Sequence, residues 1–352
     1  MAILNAVLAS ILYWFWRKKG STLKKAITIL ILFIIIILLA KNTISKEETY
    51  LSGPYWLKSE KYHFTNDTLY KAQSLYGSLL TTSHGLYIDG HVMCTDSFIN
   101  QLHFFSQANI PFILKNNSKE AFLLGYGCGS TSNYLSALPL KKIETTELDP
   151  KILDAAKTMP FHTFPNKTKH RIIIGDAREI LKRSDKQYDF IVSDPPHQES
   201  NLATNINSVE FFIIVKDSLR KDGSFNTWFH DSGEEDLKIF YKTMKQAFPS
   251  VYLLKLRNQF IMIGLFNNLT KNQIKKIFSL QFSHQNRIQS LASLDPDDLA
   301  LYDCNDFIEH NEIPINTDNN LLIELRSARL FYQYDQPESS NLFLEEHCLS
   351  LK

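Results

Sequence analysis

The chain has 352 residues, of which 44% are hydrophobic, enough for a substantial core and for one large domain or two ordinary ones. Lys and Arg number 38 against 37 for Asp and Glu, so the net charge of +1 supplies no basic field for nucleic acid, and no such partner is expected. Cys94, Cys128, Cys304 and Cys348 are scattered without a CxxC pair and are read as thiols; the histidines show no metal spacing, so no metal is expected either.

Residues 1–40 read as a membrane anchor of one or two helices. Ala26 to Ala40 is uncharged and almost wholly aliphatic, between Lys24-Lys25 and Lys41, whose stems can snorkel. Ala2 to Trp16 is also uncharged and ends in Tyr13, Trp14 and Trp16 against Arg17-Lys18-Lys19, the pattern of an interfacial aromatic belt. The positive-inside rule puts Arg17, Lys18, Lys19, Lys24 and Lys25 in the cytoplasm, so one crossing after them would place the rest of the chain outside. That conflicts with use of a cytosolic cofactor, and the face stays open. Residues 41–68, with Ser52-Gly53-Pro54 and no sustained periodicity, read as a linker.

Residues 69–115 read as a small N-terminal β-subdomain: SLYGSLLTT and GLYIDGHVM predict antiparallel hairpins, followed by a helix over about Asp96 to Gln107. Over 116–268, strands at 121–125, 143–148, 171–176 and 188–194 alternate with helices after Ser130 and at 150–158 and 177–183. A helix near 207–221, a strand at 224–230, a helix at 233–247 and the pair VYLLKL and FIMIGLF follow. Repeated βα units imply an α/β fold with a doubly wound, mainly parallel sheet, and the short Arg257-Asn258-Gln259 link makes the last pair antiparallel, as in a class I methyltransferase-like (Rossmann-type) sheet. Residues 269–352 read as a polar, mostly helical C-terminal extension.

The chemistry concentrates at the strand ends. Gly125-Tyr126-Gly127-Cys128-Gly129 lies between a strand and a helix, where glycines let the backbone pass close to a ligand and the helix offers free N–H groups. Glu147, about twenty residues on, suits ribose hydroxyls. Asp176 in GDAR reads both as a helix N-cap and as an acceptor for an adenine amino group, and Asp194 in SDPP as a carboxylate that orients or deprotonates an amine. Acids at the carboxyl ends of successive parallel strands line the edge where open α/β sheets bind ligands, so the chain reads as built around a nucleoside-type cofactor.

At these residues the chain resembles the polyamine aminopropyltransferases, the spermidine synthases, and more closely the spermidine-synthase-like domain fused behind membrane helices in bacterial membrane proteins. LYIDGHVMCT, ELDPKILDAAK, GDAREIL and YDFIVSDPPH carry the resemblance, joined by VEFFIIVKDSLRKDGSFNTWF and INTDNNLLIELRSARLFY, which resemble segments of the membrane-fused group. The resemblance implies that Asp194 is catalytic, that Glu147 holds the ribose and Asp176 with Ala177 the adenine, and that Gly125, Gly127 and Gly129 back the sulfonium nucleoside, with Gln73 and Gln101 near the cofactor. It implies aminopropyl transfer from decarboxylated S-adenosylmethionine to an amine acceptor, a homodimer, and a bacterial inner-membrane location, cytoplasmic in its soluble part if enzymatic. Cys128, Asn100 and Pro196-His197 depart from the family's acceptor-binding aspartate, tyrosine and second aspartate. Two alternatives stay open: an S-adenosylmethionine-dependent methyltransferase, and a non-catalytic membrane module that binds a nucleoside or polyamine.

Overall fold

The computed structural model describes residues 67–75, 77–88, 91–163, 168–195, 206–230, 233–256, 259–284, 287–291, 294, 298–326 and 340–351. The membrane anchor and nearly all of the linker lie outside these residues; among the described residues no helix is long and apolar enough to cross a membrane. All described residues belong to one compact unit, Asn66–Lys352.

Four strands open it as an antiparallel meander: β1 (Thr68–Ser74), β2 (Gly77–Thr82), β3 (Gly85–Ile88) and β4 (His91–Thr95). Helix α1 (Phe98–Leu114) follows, with Ser97 as N-cap. It runs a further two turns past the predicted end at Gln107, through Pro111, because one face of the added turns, with Ile110 and Pro111, is buried.

The main sheet then forms from β5 (Glu120–Leu124), β6 (Lys142–Glu147), β7 (His170–Ile174), β8 (Tyr188–Ser193), β9 (Leu219–His230), β10 (Ser250–Leu256) and β11 (Gln259–Leu265). Between them lie α2 (Ser130–Ala137), α3 (Pro150–Ala156), α4 (Ala177–Lys182), α5 (Val209–Asp217) and α6 (Glu234–Ala247). Spatial order is β10-β11-β9-β8-β5-β6-β7. β9, β8, β5, β6 and β7 pair in parallel, and β11 is antiparallel to both β9 and β10. The chain runs outward from β5 to β7 and then returns to β8 on the other side of β5. The switch point therefore falls between β5 and β8, where the carboxyl ends open a crevice.

Strand alternation divides the core. In β5, Ala121 and Leu123 pack with Ala108 of α1 and Leu135 of α2, whereas Phe122 and Leu124 join the opposite layer with Leu181 of α4 and Phe211, Phe212 and Val215 of α5. Both faces of the sheet are thus covered, which is why these strands read as continuous apolar runs.

The C-terminal extension differs from the expected helical tail. Alongside α7 (Lys271–Phe278), α8 (Asn305–His310) and α9 (Ser340–His347) it forms the hairpin β12 (Gln281–His284) and β13 (Arg287–Ser290). It also contributes β14 (Leu299–Asp303) and β15 (Leu349–Ser350), which continue the main sheet beyond β10. Lys255 pairs with Ala300, and buried Leu299 and Leu301 cover what would be an exposed edge. In the sequence this segment's apolar residues are too few and too short-ranged to show a period.

His170, at the start of β7, is buried among the hydroxyls of Ser132, Ser136 and Thr145, at 3.0, 2.7 and 2.6 Å. Desolvation, helped by Lys169, pushes its pKa from 6.5 down to about 4. Unfolded chains bind this proton in a range where the native state does not, so stability is full above 6.5 and falls as pH drops toward 4. Over that window we expect a loss of about 3 kcal/mol. Urea unfolding at pH 7 and pH 4.5 should show it in the native protein, and a smaller acid loss in His170→Gln.

Candidate active site

A cavity of about 310 Å³ lies over the switch point, lined by β3, β4 and α1 on one side and by the strand ends of the main sheet on the other. Gly125, Tyr126, Gly127, Glu147, Asp176, Ala177 and Asp194 all border it. Residues separated by up to seventy positions meet here because four parallel strands end together.

The glycine turn after β5 needs its glycines. Gly125, Gly127 and Gly129 have φ of 86°, 54° and 78°, in the left-handed region. A Cβ on Gly125 would lie 2.8 Å from the Asp194 carbonyl oxygen, so this glycine lets the β5 and β8 ends approach. A Cβ on Gly127 would meet nothing within 4 Å, which leaves that side of the turn open to a ligand.

Glu147 at the end of β6 holds this turn. Its Oε2 accepts from the N–H groups of Tyr126 (3.1 Å) and Gly127 (3.3 Å), and its Oε1 from Asp149 N–H (3.1 Å). Burial pushes its pKa up, while these N–H groups pull the other way by favouring the charged form. A carboxylate has about four lone-pair sites, so capacity remains for a hydroxyl donor.

Asp149 is the N-cap of α3 and carries the link outward. It accepts from Lys151 N–H (2.9 Å), and its other oxygen accepts from Ser74 Oγ (2.5 Å) and Leu75 N–H (3.1 Å), tying the meander to the Glu147 end of the site. Asp176 caps α4: its Oδ1 accepts from the N–H groups of Arg178 (2.8 Å) and Glu179 (3.4 Å), leaving Oδ2 for a ligand donor. Both readings of this residue are therefore structurally compatible.

Asp194 follows β8 and keeps a side chain 21% exposed. Its Oδ2 accepts from Thr131 Oγ1 (3.0 Å) and its Oδ1 from Gln107 Nε2 (3.4 Å), and His103 Nε2 lies 3.9 Å from Oδ1. His103 and Gln107 come from α1 and were not distinguished in sequence, where they carry no motif; the available signal was their (i, i+4) spacing on a predicted helix.

Gln73 and Gln101 fall elsewhere. Gln101 is buried and its amide is satisfied by Thr95 O (2.9 Å), Ser130 Oγ (3.1 Å) and the Tyr134 hydroxyl (3.1 Å), joining α1 to β4 and α2. Gln73 is exposed on β1. Neither borders the cavity, whereas the neighbouring Asn100 does, bonded to Thr95 Oγ1 (2.7 Å) and Gln259 Nε2 (2.9 Å). Pro196 and His197 lie outside the described residues.

The cysteines correct the reading of free thiols. Cys94 on β4 pairs with Cys128 in the glycine turn, Cα atoms 6.4 Å apart, and Cys304 pairs with Cys348, 4.4 Å apart. Spacings of 34 and 44 residues gave no local signal; tertiary packing of the meander and of β14 with the C-terminal segment brings the partners together. Cys94 and Cys128 both border the cavity. Removing the first bridge as Cys94→Ala/Cys128→Ala should lower the unfolding free energy by about 4 kcal/mol on chain-entropy grounds. Urea unfolding under non-reducing conditions measures this, and reductant should abolish most of the difference between variant and native protein.

Residues 106–258 match the family model of the spermine/spermidine synthase domain. The chain is similar to polyamine aminopropyltransferase 2 of Aquifex aeolicus, 25% identical over 202 residues that make up 54% of this chain and 41% of that protein. It is also similar to a thermospermine synthase of Arabidopsis thaliana, 28% identical over 145 residues, 38% of this chain and 42% of that one. The chain thus spans less than half the length of either relative. A crystal structure of spermidine synthase with the transition-state analogue AdoDATO superposes with a TM-score of 0.52 at 17% identity, covering 75% of this chain and 89% of that one. The spermidine synthase of Thermotoga maritima gives 0.51 at 18%, covering 63% and 81%. The chain therefore has the fold of spermidine synthases and, over residues 106–258, the sequence pattern of their domain.

Proposed function

We propose that this protein is a spermidine-synthase-like transferase that moves an aminopropyl group from decarboxylated S-adenosylmethionine to an amine, anchored in a bacterial inner membrane by residues 1–40. The observation that carries the reading is the convergence of Glu147, Asp176 and Asp194 on one cavity over the switch point. Glu147 receives the ribose hydroxyls, Asp176 Oδ2 and the neighbouring Ala177 meet the adenine, and the open side of Gly127 admits the nucleoside.

The chemistry asks mainly for orientation. The sulfonium is already a good leaving group, so a neutral amine held in line attacks the methylene carbon, the N–C bond forms and the C–S bond breaks with its electron pair on sulfur. Asp194 is the group that orients this amine. The acceptor end is where the chain departs from its relatives' pattern: the position of an acid in the glycine turn is occupied by Cys128, committed to a disulfide.

Calorimetric titration with decarboxylated S-adenosylmethionine, S-adenosylmethionine and methylthioadenosine tests the donor. The decarboxylated form should bind tightest; preference for intact S-adenosylmethionine would turn the reading to methyl transfer. Glu147→Gln sets an amide against the turn's N–H groups and should weaken all three by at least about tenfold, in line with about 1–3 kcal/mol for an orphaned buried donor. Asp194→Asn should leave donor affinity within about twofold while lowering transfer at least about a hundredfold.

The disulfides favour a second reading. Both bridges suit an oxidising compartment, the side of the membrane to which the positive-inside rule assigns the chain after a single crossing. There the domain would bind a nucleoside or polyamine without turnover, and Asp194→Asn would leave its biological role intact while Glu147→Ala abolished it.

A further inference from the structure

His103 is buried, 3% exposed, on the inner face of α1, and it borders the same cavity as Asp194. Its Nε2 contacts Gln107 Nε2 at 2.8 Å, so the glutamine amide donates and Nε2 accepts, which places the ring proton on Nδ1. The same amide nitrogen donates to Asp194 Oδ1 at 3.4 Å. Gln107 therefore bridges imidazole and carboxylate, and Thr131 fixes the other carboxylate oxygen.

Two atoms of this cluster are buried without a partner among the described residues: His103 Nδ1 and Gln107 Oε1. An unsatisfied buried polar atom costs about 1–3 kcal/mol, and Gln107 Oε1 beside the cavity calls for a second state in which it is used. Protonation of the imidazole supplies one. Nε2 then becomes a donor facing Asp194 Oδ1 at 3.9 Å, and a turned Gln107 amide presents Oε1 to it.

The geometry points to His103 as the proton acceptor for the incoming amine, with Asp194 stabilising the imidazolium and Gln107 switching its amide between the two states. The inference rests on the transfer reading and deepens it. An alkylammonium enters the site and passes one proton to His103 Nε2. The neutral amine attacks the methylene carbon next to sulfur, and the C–S electron pair stays on the departing thioether. The product leaves as a secondary ammonium ion, and His103 returns its proton to solvent.

A carboxylate alone is a poor base for this task because its ordinary pKa lies far below that of an ammonium ion, whereas an imidazole is better matched to neutral pH. The surroundings leave the role to this histidine. From β8, Asp194 is the charged group facing it; from β9 comes the ring of Trp228, centroids 5.9 Å apart; Phe104 lies beside it on α1; and α2 contributes uncharged Thr131 to the carboxylate. The cavity's other described acids, Glu147 and Asp176, are engaged by backbone N–H groups at the nucleoside end.

His103→Gln in the full-length protein, with putrescine and n-butylamine as acceptor probes, tests this. Methylthioadenosine affinity should stay within twofold, kcat should fall about a hundredfold, and the acid limb of the kcat/KM profile should disappear. A variant that keeps the native acid limb overturns the assignment. If the native protein transfers nothing to either amine, the transfer reading fails first, and His103 is then judged by its side-chain 15N resonances with methylthioadenosine bound. They should move to imidazolium positions on adding either amine and stay put in Asp194→Asn. Resonances unmoved in the native protein also overturn the inference.

Discussion

The site depends on one buried carboxylate. Glu147 is 8% exposed and collects the N–H groups of Tyr126, Gly127 and Asp149, so it fixes the end of β6 to the turn after β5. Burial disfavours its charge and raises its pKa, and the oriented N–H groups offset part of that penalty. The glycine turn in turn needs positive φ at Gly125, Gly127 and Gly129, and in that shape it presents the adjacent N–H groups of Tyr126 and Gly127 to a single oxygen. Sequence and electrostatics are therefore coupled: the glycines allow the loop, and the acid across the strand pair selects its conformation.

The network extends beyond the sheet through Asp149. By capping α3 and accepting from Ser74 and Leu75 it couples the antiparallel meander to the strand ends. The bridge between Cys94 and Cys128 makes a second, covalent link between the same two regions, on β4 and in the glycine turn. A cavity wall made from a separate small sheet needs such ties, because among the described residues meander and main sheet share no ladder hydrogen bonds. Lys151 adds a further tie to the carbonyl of Gln73, joining α3 to β1 through that residue's backbone.

Those couplings explain what could and could not be read from the chain alone. Parallel strands buried on both faces leave apolar runs, as in β5 and β8, and the regular alternation of strands and helices carries β6 and β7; against that pattern the glycine turn, Glu147, Asp176 and Asp194 stand out at the strand ends. The C-terminal strands β14 and β15 do not. They are short and defined by pairing, β14 with β10 and β15 with β14, contacts that no local pattern encodes. The cysteine pairs failed for the same reason, since their partners meet through tertiary packing. His103 and Gln107 are legible only once α1 lies across the β8 end, which depends on apolar contacts such as Ala108 against Leu123 and Val192.

For the proposed amine acceptor, Cys128 changes two physical terms together. An acid at position 128 would add a negative charge to the cavity and leave the glycine turn held by hydrogen bonds alone. Cys128 removes that charge and anchors the turn to β4. The sulfur-lined wall continues into Leu86, Ile88 and Val92, so the cavity face opposite the strand ends is largely apolar. Electrostatic attraction for a cationic guest then comes from the sheet side, where Asp194 is oriented by Thr131 and Gln107. A ligand in this crevice meets charge on one side and hydrocarbon on the other, so orientation is set by the sheet edge and the meander supplies desolvation. Because desolvation strengthens every charge interaction within the cavity, the apolar wall and the Asp194 carboxylate act as one device.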